Sequence, residues 1–267
     1  VANSPYLISA TLNAASDVLS NYYIDNKEAN FTITAQPLII TAYAGQKIYG
    51  TTPDPKLTYG FHGFVNGETE AVLSGGLKRA EGKNVGDYAI SSSFANTNYA
   101  IKFTPAVFKI TALGVTGSFT ADSKTYDGGS SAVVASRTVN GFVPSDDVSL
   151  VGGNATFADK NVGAGKTVTL AGATLAGSDA GNYNLTSTTT TSATITKKDA
   201  SVTPTEAYKF YGADDPTLTG VLDGFIAGDK VTATYSRTGG ETVANSPYLI
   251  SATLNAASDV LSNYYID

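Results

Sequence analysis

Val1 to Asp25 reads VANSPYLISATLNAASDVLSNYYID, and Val243 to Asp267 reads the same, letter for letter. Chance does not give 25 identical residues at an offset of 242, so the parent polypeptide repeats with that period. A chain of this kind is an array of units that stack on their neighbours. It contains no Cys. No disulfide can close a unit, and each must hold by core packing and hydrogen bonds. A chain without Met reads as an excised piece of a longer protein, whose targeting signals can lie elsewhere.

A weaker period lies inside the strong one. Lys47-Ile-Tyr49-Gly50, Lys124-Thr-Tyr126-Asp127-Gly128 and Lys209-Phe-Tyr211-Gly212 share K-x-Y followed closely by Gly. Each is followed by Gly-Phe, at Gly63-Phe64, Gly141-Phe142 and Gly224-Phe225, and then by an acid, Glu68, Asp146 or Asp229. Asn-Tyr pairs come next, at Asn98-Tyr99, Asn182-Tyr183 and Asn263-Tyr264, with a fourth at Asn21-Tyr22 in the duplicated segment. Alternating runs ending in Ile-Thr close the blocks, at Phe31 to Thr34, Phe108 to Thr111 and Ala193 to Thr196. The chain therefore divides into 1–34, 35–111, 112–197 and 198–267. The first block is the tail of a unit. The last is the same unit type without its Phe-Thr-Ile-Thr ending, so an unpaired edge is expected there.

The local signal is strand. Tyr99, Ile101 and Phe103 alternate, Pro105 interrupts, and Phe108 and Ile110 resume. Pro105 removes a ladder donor and predicts an edge or a bulge. Tyr183, Leu185, Ala193 and Ile195 share one parity around a Thr tract, Thr186 to Thr196, read as a solvent-facing strand. Asn66 to Leu73 is the best helix candidate, with Asn66 as cap, acids in the first turn and Gly75-Gly76 as the stop. Joints between blocks are a few residues long, which favours a stiff rod of small β domains, sandwich-like or β-grasp-like, with at most a short helix each.

The recurring residues read as packing devices. Tyr49, Tyr126 and Tyr211 each close a first strand, ring in the core and hydroxyl at the rim. The Gly after each supplies a positive φ for the turn. The Asn of each Asn-Tyr pair bonds the preceding turn, and its Tyr starts the last strand. Adjacent blocks differ in sequence and identical copies stand two units apart, an order that limits strand exchange between neighbours.

These residues also carry a resemblance. The block at 112–197, with Tyr126-Asp127-Gly128, Asp146, Val162-Gly163 and Ser178 to Leu185, resembles the YDG-type repeat of large bacterial adhesins. Blocks 35–111 and 198–267, with Tyr-Gly, Gly-Phe and the Asp-Pro-x-Leu elements at Asp54 to Leu57 and Asp215 to Leu218, resemble the companion MBG-type repeat. Block 1–34 then reads as the end of a further MBG-type repeat. The resemblance implies tandem mostly-β modules in long secreted or surface-attached proteins of the filamentous haemagglutinin kind. It brings no catalytic residues.

Chemistry-bearing constellations are absent from the sequence. His62 is the sole histidine, so no His cluster and no Cys-His pair exists. Asp146-Asp147 and Asp214-Asp215 are adjacent acids that would point to opposite faces of a strand, and they lack the alternating spacing of a calcium loop. No cofactor and no enzymatic activity are expected, calcium being the one ion worth weighing. A net charge of −6 argues against a nucleic-acid partner. No apolar run is long enough to span a membrane. A Lys-to-Asn cross-link is conceivable from the order Lys47 and Asn98, Lys124 and Asn182, Lys209 and Asn263.

The reading is a structural stalk segment of a bacterial surface adhesin, extracellular, whose partners are its own neighbouring repeats and, beyond them, a host surface or matrix ligand. The alternative is a module that binds carbohydrate or host protein through exposed Tyr, of which the chain has 16. A cluster of solvent-facing Tyr on one side of one unit would mark the alternative.

Overall fold

In a computed structural model, which describes residues 1–267, the chain is mainly β, with strands joined by short 3-10 turns and no α-helix. By contacts it divides into two compact units, Val1–Leu113 and Gly114–Asp267.

In the first unit, residues 35–111 build two sheets from strands shared between them. Gln36–Ala42 lies between Tyr59–His62 and Tyr99–Thr104, antiparallel to the former and parallel to the latter. After a short bend the chain re-enters as Gly45–Ile48, in a second sheet with Val107–Thr111, Gly86–Ser92 and Leu77–Arg79. There Gly45–Ile48 and Val107–Thr111 again run parallel. The first and last strands of the block thus pair with each other in both sheets.

Alternation explains the burial. Leu38, Ile40 and Ala42 are buried while Ile39 between them is exposed, because neighbours on a strand face opposite sides. Leu38, Ile40 and Tyr99 form a core packed by Phe61, Phe64, Phe94 and Ile101. The rings of Tyr59, Phe61, Phe64, Phe94 and Tyr99 meet at centroid distances of 5.2–5.8 Å, mostly edge to face. Residues 1–34 add a small hairpin, Tyr6–Ile8 antiparallel to Ala29–Phe31, with Tyr6 opposite Phe31. All six strand residues are exposed.

The second unit holds two of the sequence blocks. Leu113–Ala121 lies between Val134–Asn140 and Tyr183–Thr188. A five-stranded sheet of Lys124–Thr125, Thr191–Thr196, Gly163–Ala176, Ser149–Phe157 and Ser131–Ala132 stands with it. Val115, Phe119, Val139, Leu150, Phe157, Val168, Leu170 and Ile195 form the buried set. In block 198–267, Lys198–Pro204 lies between Gly220–Asp223 and Tyr264–Ile266, parallel to the latter. A separate two-stranded ladder joins Thr232–Arg237 and Ile250–Asn255.

The register agrees between the MBG-like blocks. Gln36 stands opposite Tyr99, and Lys198 opposite Tyr264. The Gly of Gly-Phe is fixed by close approach of that first strand. A Cβ on Gly63 would fall 2.5 Å from the Pro37 carbonyl oxygen, and one on Gly224 would fall 2.4 Å from that of Asp199. No helix lies across a sheet, and each block is built from strands and turns alone.

Four expectations need correction. Asn66 to Leu73 is not a helix: Asn66 and Gly67 take φ of 56° and 72°, so the chain turns there. Only Glu70–Val72 forms a 3-10 turn, capped by Thr69. Pro105 lies in no strand but at a corner, where the chain leaves the edge strand of one sheet at Thr104 and joins the other sheet at Val107. The Thr tract turns a similar corner between Thr188 and Thr191, and two of its hydroxyls bond the carbonyls of Val115 and Leu170. Tyr211, expected in the core, is 77% exposed, whereas Tyr49 and Tyr126 are buried.

Candidate functional site

The recurring motifs converge on one device, present in blocks 35–111, 112–197 and 198–267. The turn after Gly-Phe is closed by the acid's own amide: Glu68 to the Val65 carbonyl at 3.0 Å, Asp146 to Val143 at 2.9 Å, Asp229 to Ile226 at 3.0 Å. The amide of that same second residue donates to the Tyr of Asn-Tyr: Val65 to Tyr99 at 3.3 Å, Val143 to Tyr183 at 3.1 Å, Ile226 to Tyr264 at 2.9 Å. Each Tyr hydroxyl then donates to the acid, Tyr99 to Glu68, Tyr183 to Asp146 and Tyr264 to Asp229. Gly-Phe, the acid and Asn-Tyr are thus one hydrogen-bonded loop, built from positions far apart in sequence.

In the second unit this loop receives the preceding block. Tyr126 reaches out of block 112–197 and donates to both oxygens of Asp229, at 3.1 and 2.8 Å. Its ring meets that of Tyr264 edge-on at 5.5 Å, and Phe225 packs against Tyr264, tilted, at 4.9 Å. Lys160 pairs with Asp229 at 3.1 Å and stands over the Tyr126 ring. Beside them the Val162 amide donates to the side-chain oxygen of Asn263 at 2.8 Å, and the amide group of Asn263 bonds that of Asn161 at 3.2 Å. Asp229 and Asn263 are buried with every polar atom satisfied.

The sequence folds this way for local reasons. Gly128 at φ 79° ends the strand that presents Tyr126, and a Cβ there would press on the Ile226 methyl at 3.2 Å. Gly50 and Gly212 take the same turn, at φ 79° and 83°. The 3-10 turn Ala227–Asp229, followed by Lys230 at φ 52°, aims the carboxylate at the joint.

Electrostatics follow the geometry. Burial pushes Asp229 toward protonation, but hydrogen bonds from Tyr264, Tyr126 and Lys160 outweigh it and hold the carboxyl below its ordinary value. Burial, then the Asp229 contact, pushes Tyr264 up to about 12, and the same two causes raise Tyr126. The Asp229 hydrogen bond raises Lys160. A buried carboxylate with two phenols and one ammonium is a structural polar network. It presents no open nucleophile.

The motif lysines each pair with acids of their own block. Lys47 pairs with Asp54 at 2.6 Å, and Arg79 shares that carboxylate. Lys209 pairs with Asp215 at 2.8 Å and Glu241 at 2.7 Å, and Arg237 joins both acids. Lys124 pairs with Asp127 at 2.8 Å. Each lysine of the cross-link hypothesis is therefore held by a carboxylate, while Asn263 holds Val162 and Asn161. Asp54 and Asp215 are the acids of the Asp-Pro-x-Leu elements. His62 is exposed on its strand, and no group of three or more acids or histidines is placed to hold a metal.

Sequence reasoning placed Tyr126 in the core of its own block, Asn263 on the preceding turn and Tyr264 at the start of the last strand, whereas Asn263 bonds Val162 and Asn161 of the preceding block. It missed Lys160 and Asn161. A signal was available: Lys83-Asn-Val-Gly86 and Lys160-Asn-Val-Gly163 recur.

Comparison with known families fits this organisation. The MBG domain family (YGX type) matches residues 38–109 and 200–267, and the YDG domain family matches 109–192. No curated protein and no solved structure matches the chain. With more than half of its residues covered by the two MBG matches, the chain belongs to the MBG domain family of YGX type, with a YDG domain between its two MBG stretches.

Proposed function

We propose that the chain is a stalk segment of a bacterial surface adhesin, extracellular, which projects a distal binding region from the cell. One observation carries this reading: successive blocks in Gly114–Asp267 are joined by a buried, fully bonded network rather than by a flexible linker. Residues conserved within the chain from block to block are spent on that joint and on the turns that serve it. No convergent catalytic set competes for them. In this reading the segment catalyses nothing and needs no cofactor, and its immediate partners are its own neighbouring repeats.

The carbohydrate- or protein-binding alternative has one observation in its favour. Tyr208, Phe210 and Tyr211 are exposed together beside a pocket lined by Tyr248 in block 198–267. Tyr211 occupies the motif position at which Tyr49 and Tyr126 are buried, which favours a packing surface over a sugar platform.

Small-angle scattering of one, two and three tandem 242-residue periods tests the stalk. The longest dimension should grow in proportion to the number of periods. Growth with about the square root of length, as for a flexible chain, would overturn it.

A further inference from the structure

In blocks 35–111 and 112–197 the opening strand lies beside the closing strand, and the two run the same way. In block 35–111, Gln36–Ala42 faces Tyr99–Thr104 in parallel, from Gln36 opposite Tyr99 to Thr41 opposite Thr104. Past the bend, Gly45–Ile48 faces Val107–Thr111 in parallel, from Gly45 opposite Phe108 to Ile48 opposite Thr111. Block 112–197 repeats the pattern. Lys124 stands opposite Ile195 and Thr125 opposite Thr196, again in parallel. Leu113–Ala121 pairs with Tyr183–Thr188. The Thr186 hydroxyl bonds the Val115 carbonyl and the Thr189 amide bonds that of Gly117, so these two strands also advance together.

We propose that these blocks bear tension along the chain, each acting as a mechanical clamp. The proposal rests on the stalk reading, which supplies the load. It adds a property that projection does not require, resistance to pulling rather than to bending. A pull along the chain draws the opening strand backward from its start and the closing strand forward from its end. Parallel strands loaded this way slide past each other, and every bond of the ladder between them is strained at once. The two strands of an antiparallel hairpin, pulled at their free ends, instead peel apart one bond at a time.

The packing opposes that slide. Gln36–Ala42 is flanked by Tyr59–His62 as well as Tyr99–Thr104, and Val107–Thr111 by Gly86–Ser92 as well as Gly45–Ile48. Leu113–Ala121 and Thr191–Thr196 are likewise flanked on both sides. Each loaded strand must therefore leave two ladders. Side chains lock the register. Leu38, Ile40, Phe108, Ile110 and Ile195 are fully buried, and a slip of one residue would turn each of them to solvent. The K-x-Y tyrosines extend the second ladder to the exit of the block. The Tyr49 amide bonds the Thr111 carbonyl at 2.8 Å, and the Tyr126 amide bonds that of Thr196 at 2.9 Å. Only Lys197 then separates Thr191–Thr196 from Lys198–Pro204, so load passes from strand to strand without slack.

Pulling single molecules of the full chain in optical tweezers tests this. The chain has no Cys, so a pair of introduced thiols gives unique handles. Gln36→Cys with Ala112→Cys loads block 35–111 in shear. Gln36→Cys with Thr97→Cys holds the opening strand at the same point but parts it from the start of Tyr99–Thr104, as a zipper. Ala112→Cys with Lys197→Cys, against Ala112→Cys with Gly181→Cys, makes the same comparison in block 112–197. Thr97 and Gly181 are exposed, and a side chain at Gly181 meets open space. Either block decides alone if a handle unfolds the other. The gain in length identifies the block, up to roughly 260 Å for residues 36–112 at about 3.4 Å per extended residue. Urea unfolding should give the shear and zipper variants of a block the same stability. Shear should nevertheless require severalfold more force at one loading rate, because forced unfolding follows the barrier and not the stability. Equal force in the two directions overturns the proposal. A chain that scatters as a rod yet yields equally in both directions loses the clamp and keeps the stalk. A chain that scatters as a flexible coil yet resists shear keeps the clamp and loses the stalk.

Discussion

The same 25 residues appear twice in this chain and do not reach the same end. At Val243–Asp267, Tyr264 is 2% exposed and Asn263 1%. At Val1–Asp25, Tyr22 is 67% exposed and Asn21 is at the surface. Local conformation nevertheless survives in both copies. Asp17 and Asp259 share φ 67°, a 3-10 turn follows each, and Ser20 and Ser262 bond the carbonyls of those aspartates. Turn geometry is thus written in the segment itself. Burial is written in the half-block before it, which supplies Gly224-Phe225, Asp229 and the strand Lys198–Pro204. Block 198–267 has that half and block 1–34 does not.

Substituting the two copies separately puts numbers on that difference. Tyr264→Ala should cost about 3–5 kcal/mol in urea unfolding of block 198–267, as for a large buried aromatic. Tyr22→Ala, the same change in the same sequence, should stay within about 0.5 kcal/mol. Equal costs would mean that the two copies share one environment. Asp229→Asn comes next, at about 1.5–3 kcal/mol, because two phenols and Lys160 lose a charged acceptor. A double-mutant cycle with Tyr126→Phe should show coupling, since Tyr126 bonds the substituted group directly.

Titration separates the causes acting at Tyr264. The folded phenol keeps its proton to about 12, while an unfolded one releases it near ~10. Its contribution to stability is therefore whole below about pH 10 and lost as pH rises toward the folded value. At the acid end, Asp229 is held below its ordinary value. Its contribution is whole above about pH 4 and lost as pH falls through the folded value. In Asp229→Asn, tyrosinate absorbance should show Tyr264 ionising earlier yet still above ~10, because burial is the larger cause and remains. No change would remove Asp229 from the account.

Much of this was legible in the sequence. Alternation located Tyr99–Thr104 and Val107–Thr111, and self-comparison located Gly-Phe, the acids and the Asn-Tyr pairs. Their closure into one loop was not legible, because it joins positions such as Val65 and Tyr99 that meet only across the block. Tyr126 was misassigned for a related reason: a buried aromatic looks the same in sequence whether it fills its own core or its neighbour's. The corner in the Thr tract was hidden because one parity runs from Tyr183 to Ile195 while the chain changes sheets, whereas at Pro105 the parity shifts between Phe103 and Phe108 and was read as a break within a sheet rather than a change of sheet.

The smallest effects should come from the parity that faces outward in both copies. Leu7 and Leu249 are 67% and 71% exposed, and Tyr23 and Tyr265 are 101% and 67%. On a strand, neighbours point to opposite sides, so Tyr264 and Tyr265 sample the joint and the solvent from adjacent positions. The strand Tyr264–Ile266 pairs with Lys198–Pro204 through backbone groups alone at Tyr265, opposite Asp199. Tyr265→Ser keeps those bonds and removes a ring that covers little. It should stay within about 0.5 kcal/mol, as should Tyr23→Ser, when both are measured by urea unfolding. A cost at Tyr265 comparable to that at Tyr264 would mean that this face is covered by a further part of the protein. The difference between the duplicate segments would then be larger than exposure within the chain reveals.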